Sequence, residues 1–245
     1  MNEPIKKRSQ KIVSLSTRFC LKTSISACVV VLATGANAES LGQKIYTQGG
    51  ESPAAVACAT CHSTNGLGNS SAGFPRLEGL PQSYLAKQLE DFRSGKRASA
   101  VMQPIALALK NTEGEAVARY LNALVVDAPS VGLNSTGSLG SVAEKLVKQG
   151  DWSRNIPACV ACHGVSNTGV GESFPPLVGQ SSAYIAAQLN AWRSGTREND
   201  PNELMSHIAR SLSDTEVQDL SVYLPRLSGE VKQWSFQRKY CSLLP

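Results

Sequence analysis

Aromatic residues are scarce, at 6% of the 245 residues, while there are 20 glycines. Such a chain is poorly supplied for one large self-filled core, and small domains that take part of their core from a bound group fit better. Methionine is rarer still, with only Met1, Met102 and Met205, and the histidines are His62, His163 and His207. Sustained strand alternation is missing from every segment, which argues against a sheet protein. A surplus of one charge is missing too. The 24 Lys and Arg outnumber the 19 Asp and Glu, but six of the former and one of the latter lie in the first 38 residues, leaving 18 of each. A neutral remainder gives no case for nucleic-acid binding.

No apolar run is long enough to cross a bilayer. The run from Ile25 to Ala36 is about twelve residues, against the ~20 needed. It follows a basic stretch (Lys6, Lys7, Arg8, Lys11, Arg18, Lys22) and ends in the small-x-small sequence Ala36-Asn37-Ala38. Residues 1–38 therefore read as a secretory signal peptide cleaved after Ala38, with an uncleaved anchor as the alternative. Ile25-Ser26-Ala27-Cys28 loosely resembles a lipoprotein cleavage site, but the apolar run lies after that cysteine. Cys20 and Cys28 leave with the signal, Cys58, Cys61, Cys159 and Cys162 form two close pairs, and Cys241 stands alone. An exported chain can use four cysteines as disulfides. The residues around these four point elsewhere.

The chain is internally duplicated. Lys44-Ile45…Gln48-Gly49 matches Lys145-Leu146…Gln149-Gly150, and Cys58-Ala-Thr-Cys61-His62 matches Cys159-Val-Ala-Cys162-His163. Phe74-Pro75-x-Leu77-x-Gly79 recurs as Phe174-Pro175-x-Leu177-x-Gly179. Tyr84, Gln88, Leu89, Arg93, Ser94, Gly95 and Arg97 recur exactly 100 positions on, at Tyr184 through Arg197. Met102-x-x-Ile105-Ala106-x-x-Leu109 recurs as Met205-x-x-Ile208-Ala209-x-x-Leu212. A unit this long is a duplicated domain rather than a solenoid repeat. Asp127 to Gly140 is rich in Ser, Gly, Pro and Asn and reads as a linker. The expected organisation is a signal over 1–38, domains over 39–126 and 141–228 joined by 127–140, and a tail over 229–245.

Both halves read as helical. Tyr84, Leu85, Gln88, Leu89 and Phe92 share a face at 3.6-residue spacing, as do Tyr184, Ile185, Gln188, Leu189 and Trp192. Gly95 and Gly195 then suit helix C-termini. Ser213-x-x-Glu216 is a capping-box signature, and Thr112-x-x-Glu115 is its candidate equivalent in the first half. The expected fold is all-α, in two domains.

The chemistry lies in the two Cys-x-x-Cys-His sites. Residues i and i+3 lie on one face of a helical turn, so both thiols can form thioethers to the vinyl groups of one haem. The next residue, His62 or His163, then offers a ring nitrogen to the iron. Zinc pairs are normally ~15–20 residues apart and a thioredoxin-like pair expects a βαβ context, so c-type haem attachment is the reading. Two copies imply two covalent haem c groups, held by Cys58, Cys61, Cys159 and Cys162. Met102 and Met205 follow their histidines by about forty residues in the same register and are the expected second axial ligands, with core filler as the alternative. His207 is the rival at the second iron, but its repeat counterpart is Pro104, which cannot ligate. His/Met ligation leaves no vacancy for a substrate and favours ferrous iron, the signature of an electron-transfer centre.

These motifs, over roughly residues 40 to 228, resemble class I cytochromes c, and their order, repeated twice, resembles the cytochrome c4 family of dihaem cytochromes. The resemblance implies two tandem class I cytochrome c domains, a bacterial periplasmic location and electron delivery toward a terminal oxidase. It also implies that the carbonyls of Pro75 and Pro175 accept hydrogen bonds from His62 and His163, which would orient the rings; otherwise these prolines only end a loop. Arg97 and Arg197 either pair with haem propionates or end their helices in solvent. The chain departs from the family after Tyr223. Lys232, Trp234, Phe236, Arg238, Lys239, Tyr240 and Cys241 suit peripheral docking on a membrane or partner, or form a poorly ordered tail.

Three functions compete. The first is a carrier with no substrate turnover, fed by a quinol-oxidising complex or a dehydrogenase. The second is the electron-accepting subunit of a dehydrogenase, such as the flavin-dependent sulfide-oxidising type. The third, a dihaem peroxidase, needs an iron that opens, and both methionines argue against it.

Overall fold

The computed structural model describes residues 41–124, 141–165 and 167–226. The expected signal peptide, the linker over 127–140, the tail over 229–245 and Cys20, Cys28 and Cys241 lie outside these residues. The described part is helical, with only isolated bridges in place of strands. Among the described residues, no helix is long and apolar enough to cross a membrane.

The first half runs α1 (41–48), α2 (Ala59–His62), α3 (Gln82–Arg93), α4 (Met102–Ala108) and α5 (Asn111–Ala123). The second runs α6 (Ser141–Lys148), α7 (Cys159–His163), α8 (Ser182–Arg193), α9 (Leu204–Ser211) and α10 (Asp214–Tyr223). Each half buries its own cluster. Ile45, Tyr46, Leu85, Leu109, Val117 and Leu121 close the first. Leu146, Val147, Ile185, Leu189, Leu212 and Leu220 close the second. The long helix α3 packs on α4 and α5, and α8 packs on α9 and α10.

Local chemistry sets the helix ends. Gly95 (φ 79°) and Gly195 (φ 73°) take the left-handed conformation that terminates α3 and α8, as expected. Ser213 caps α10, with the Glu216 carboxylate reaching back to the Ser213 N–H at 2.8 Å. The first half differs from expectation. Its helix starts two residues earlier than a Thr112 cap allows, and Glu113, not Glu115, accepts the Lys110 N–H at 2.8 Å. Only Glu113 sits three residues after the cap position, where a side chain can reach back. Gly42 lets α1 touch α5. A Cβ there would lie 2.2 Å from the Ala116 carbonyl oxygen.

The halves meet through polar contacts. The Ala98 N–H donates to Thr196 O (2.9 Å) and the Glu198 N–H to Lys96 O (2.8 Å), forming a short antiparallel bridge. The Gln180 amide pairs with both backbone groups of Arg76, at 3.0 and 3.1 Å. Glu172 accepts from the backbone and hydroxyl of Ser83.

Candidate haem-binding site

The two attachment motifs sit on the one-turn helices α2 and α7. Their four thiols are unpaired. Burial pushes the Cys58 and Cys159 thiols up to about 11, as expected of side chains that face an apolar space. His62 and His163 follow, 6% and 8% exposed. In both halves, ring atom Nδ1 lies 2.8 Å from a proline carbonyl, Pro75 O and Pro175 O. A carbonyl only accepts, so Nδ1 carries the proton and Nε2 keeps its lone pair. Burial lowers the pKa of both imidazoles, partly opposed by the proline carbonyl. Each ring is therefore neutral, oriented and ready to ligate. Phe74 and Phe174 tilt against these rings, at centroid distances of 6.0 and 6.2 Å.

A single cavity of about 790 Å³ runs through both halves. Cys58, Cys61, His62 and Met102 line it in the first half, and Cys159, Cys162, His163 and Met205 in the second. The half-buried methionines belong to α4 and α9. His207 is exposed and does not line the cavity. In α9 it lies two positions from Met205, which puts it on the other side of the helix.

Arg97 and Arg197 are not solvated helix ends. They are 6% and 4% exposed, lie opposite each other across the bridge between the halves and line the same cavity. Arg97 donates to Gln88 (2.8 Å), Gln188 (2.7 Å) and the Tyr184 hydroxyl (2.6 Å). Arg197 donates to Gln188 (2.8 Å), Gln88 (3.1 Å) and Asn199 (2.9 Å), and is hydrogen-bonded to Tyr84. Each guanidinium covers an aromatic ring, Phe92 at 4.6 Å and Trp192 at 3.9 Å. Among the described residues Asp91 is the one carboxylate bonded into this cluster, through Asn199, and Lys87 already pairs with it. Two buried guanidiniums thus face the cavity without a carboxylate of their own among the described residues. Buried charge of this kind needs a counter-charge.

The residues present fit two c-type haems. The walls offer paired thiols, a neutral imidazole and a thioether in each half, and buried guanidiniums suit propionate groups. Tyr46 was not singled out in the sequence. It is fully buried, and its hydroxyl donates to the carbonyls of His62 (3.3 Å) and Ser63. Its repeat counterpart is Val147, and an isolated tyrosine among apolar residues carries no sequence signal of that role. Trp192 has a buried Nε1 without a partner among the described protein atoms and also lines the cavity.

The family model for cytochrome c matches residues 40–124 and 154–228. A thiosulfate dehydrogenase electron acceptor of Stutzerimonas stutzeri is 56% identical over 183 residues, covering 74% of this chain and 84% of that protein. The crystal structure of reduced cytochrome c4 from Pseudomonas stutzeri superposes with a TM-score of 0.66 at 30% identity, covering 78% of this chain and 98% of that one. A thiosulfate dehydrogenase structure from Marichromatium purpuratum gives a TM-score of 0.69 at 38% identity. The match covers 76% of this chain but only 40% of that longer one.

Proposed function

The chain belongs to the cytochrome c4 family of dihaem cytochromes c, and we propose that within it this protein collects electrons from a thiosulfate-oxidising dehydrogenase. It carries two covalently attached haem c groups and transfers electrons rather than turning over a substrate. Each haem supplies reversible one-electron iron chemistry.

The residues of the chain do the rest. Cys58 and Cys61 tether one haem, Cys159 and Cys162 the other. His62 with Met102, and His163 with Met205, would bind the two irons. The carbonyls of Pro75 and Pro175 hold the histidine rings in one orientation. Arg97 and Arg197, buried at the junction of the halves, would neutralise propionates there. What supports the carrier reading above all is that a histidine and a methionine line the cavity in each half, a donor set that would leave no iron position for a substrate. What supports the donor is the 56% identity to a protein named for accepting electrons from thiosulfate dehydrogenase.

The same reading places the protein in the periplasm after cleavage at Ala38, with domains over 39–126 and 141–228. Onward delivery runs toward a terminal oxidase. The test is stopped-flow reduction of the oxidised protein by a purified thiosulfate dehydrogenase with thiosulfate, read at the haem α-band. Reduction of both haems at a rate that rises with enzyme concentration is expected. Reduction no faster than that of a mitochondrial cytochrome c would refute the assigned donor.

A further inference from the structure

The loops that hold the two histidine rings fold back alike. The Leu77 and Glu78 N–H groups donate to Gly66 O (2.8 and 3.1 Å), and the Leu177 and Val178 N–H groups donate to Asn167 O (2.8 and 3.3 Å). The repeat then departs at two positions. Arg76 stands where the second half has Pro176, and Leu80 stands where it has Gln180. Gln180 crosses between the halves. Its Oε1 accepts the Arg76 N–H at 3.0 Å, and its Nε2 donates to Arg76 O at 3.1 Å. The reverse contact is chemically closed, because proline has no N–H and leucine has no polar side-chain atom.

The Arg76 N–H belongs to the same peptide unit as the Pro75 carbonyl, which accepts the His62 Nδ1–H at 2.8 Å. Peptide resonance links the two ends of that unit. A hydrogen bond donated by its nitrogen draws electron density onto its oxygen and strengthens the bond that oxygen accepts. The orientation of the Gln180 amide is fixed. The residue is 8% exposed, and Oε1 also accepts the Ser181 N–H at 3.1 Å. A flipped amide would set its NH2 group against two N–H donors. Arg76 is held from its own half by the buried Glu78 carboxylate, 2.9 Å from Nε. Gly179 leaves room for that side chain, since a Cβ there would overlap an Arg76 guanidinium nitrogen.

We infer that Gln180 is a positioning residue for the His62 ring: the second half tightens the His62–Pro75 hydrogen bond of the first, and receives no such help in return. The inference rests on His62 facing a bound haem, and it adds that the first histidine answers to the docking of the second half. His163 has Pro176 behind its Pro175 carbonyl, so its ring is set without a bond of this kind. A ring whose Nδ1–H is held more tightly is more basic at Nε2. Equal motifs therefore present unequal imidazoles, and loosening the contact between the halves changes the first and not the second.

The test is solvent exchange of the two ring Nδ1–H protons, read by nuclear magnetic resonance on the reduced full-length holoprotein. Gln180→Met keeps the volume and removes both bonds to Arg76. It should speed exchange of the His62 proton about 2–13-fold, the factor that corresponds to one ordinary hydrogen bond. The same proton should move upfield, and the His163 proton should not change. Arg76→Pro copies the second half, removes the same N–H and should act alike. Because both substitutions break one bond, the double variant should exchange no faster than the quicker single variant. An unchanged His62 proton, equal acceleration of both rings, or a double variant that multiplies the two effects would overturn the inference. If His62 does not face the haem, His62→Ala leaves the first haem's spectrum intact, an outcome separate from all of these.

Discussion

Replacing Gly42 with valine should destabilise the first half selectively. A Cβ at this position would meet the Ala116 carbonyl oxygen at 2.2 Å and the Tyr120 Cβ at 2.7 Å. Ordinary contacts at such atoms begin near 3.4 Å, so α1 and α5 must part by about 1 Å. Both partners are helix backbone or its first side-chain atom, and neither can rotate aside. Valine adds two methyl groups to that overlap. The cost lies at or above the ~3 kcal/mol upper range for overpacked sites. For a domain of this size each kcal/mol lowers the midpoint by roughly 4–8 °C, so a fall of about 12–24 °C is expected. The second half has Ala143 at the same register, fully buried, and Ala143→Gly should cost only about 1 kcal/mol. The assay is thermal unfolding of the oxidised holoprotein, followed by far-ultraviolet circular dichroism and by the sulfur-to-iron band. Because α1 also carries Tyr46, the first haem should lose its band early while the second keeps its own. A midpoint within about 4 °C of the parent would refute the packing argument.

Mass spectrometry of the exported protein should show a chain starting at Glu39 with two added haems that survive acid–acetone extraction; freely extracted haem would refute covalent attachment. Met205→Ala should abolish the near-infrared contribution of one haem, lower its potential and open its reduced iron to carbon monoxide. Met102→Ala should do the same in the other half, and His207→Ala should leave both bands intact; a silent Met205→Ala with an active His207→Ala would mean a bis-histidine second haem. A redox titration should give two waves or one broadened wave, since Tyr46 faces the His62 turn where the second half has Val147, and Thr64 is replaced by the 92% exposed Val165. A single ideal one-electron curve would contradict this. Tyr46→Phe should move the potential of the first haem and leave the second unchanged, as followed in the same titration.

The attachment chemistry, the duplication and the helical character were legible in the chain alone because each rests on short-range spacing. Cys-x-x-Cys-His is a single turn, the α3 and α8 faces follow a 3.6-residue period, and Gly95, Gly195 and Ser213 act on their own helix ends. The Thr112 cap failed for the same local reason: two acids, Glu113 and Glu115, lie close together, and only the true start of α5 selects between them. The methionines were identifiable by register, and so was the rival status of His207, but which of them lines the cavity depended on the helix that carries them.

What only the tertiary structure decided is how the repeats meet. Arg97 and Arg197 read equally well as propionate partners or as solvated ends, because burial across a hundred residues of sequence leaves no periodic trace. The fold brings each guanidinium against the other half's glutamine and tyrosine and removes it from water. Tyr46 is the same case on a smaller scale. A hydroxyl becomes a structural donor only once packing has excluded every solvent partner and aimed it at the carbonyls that end α2.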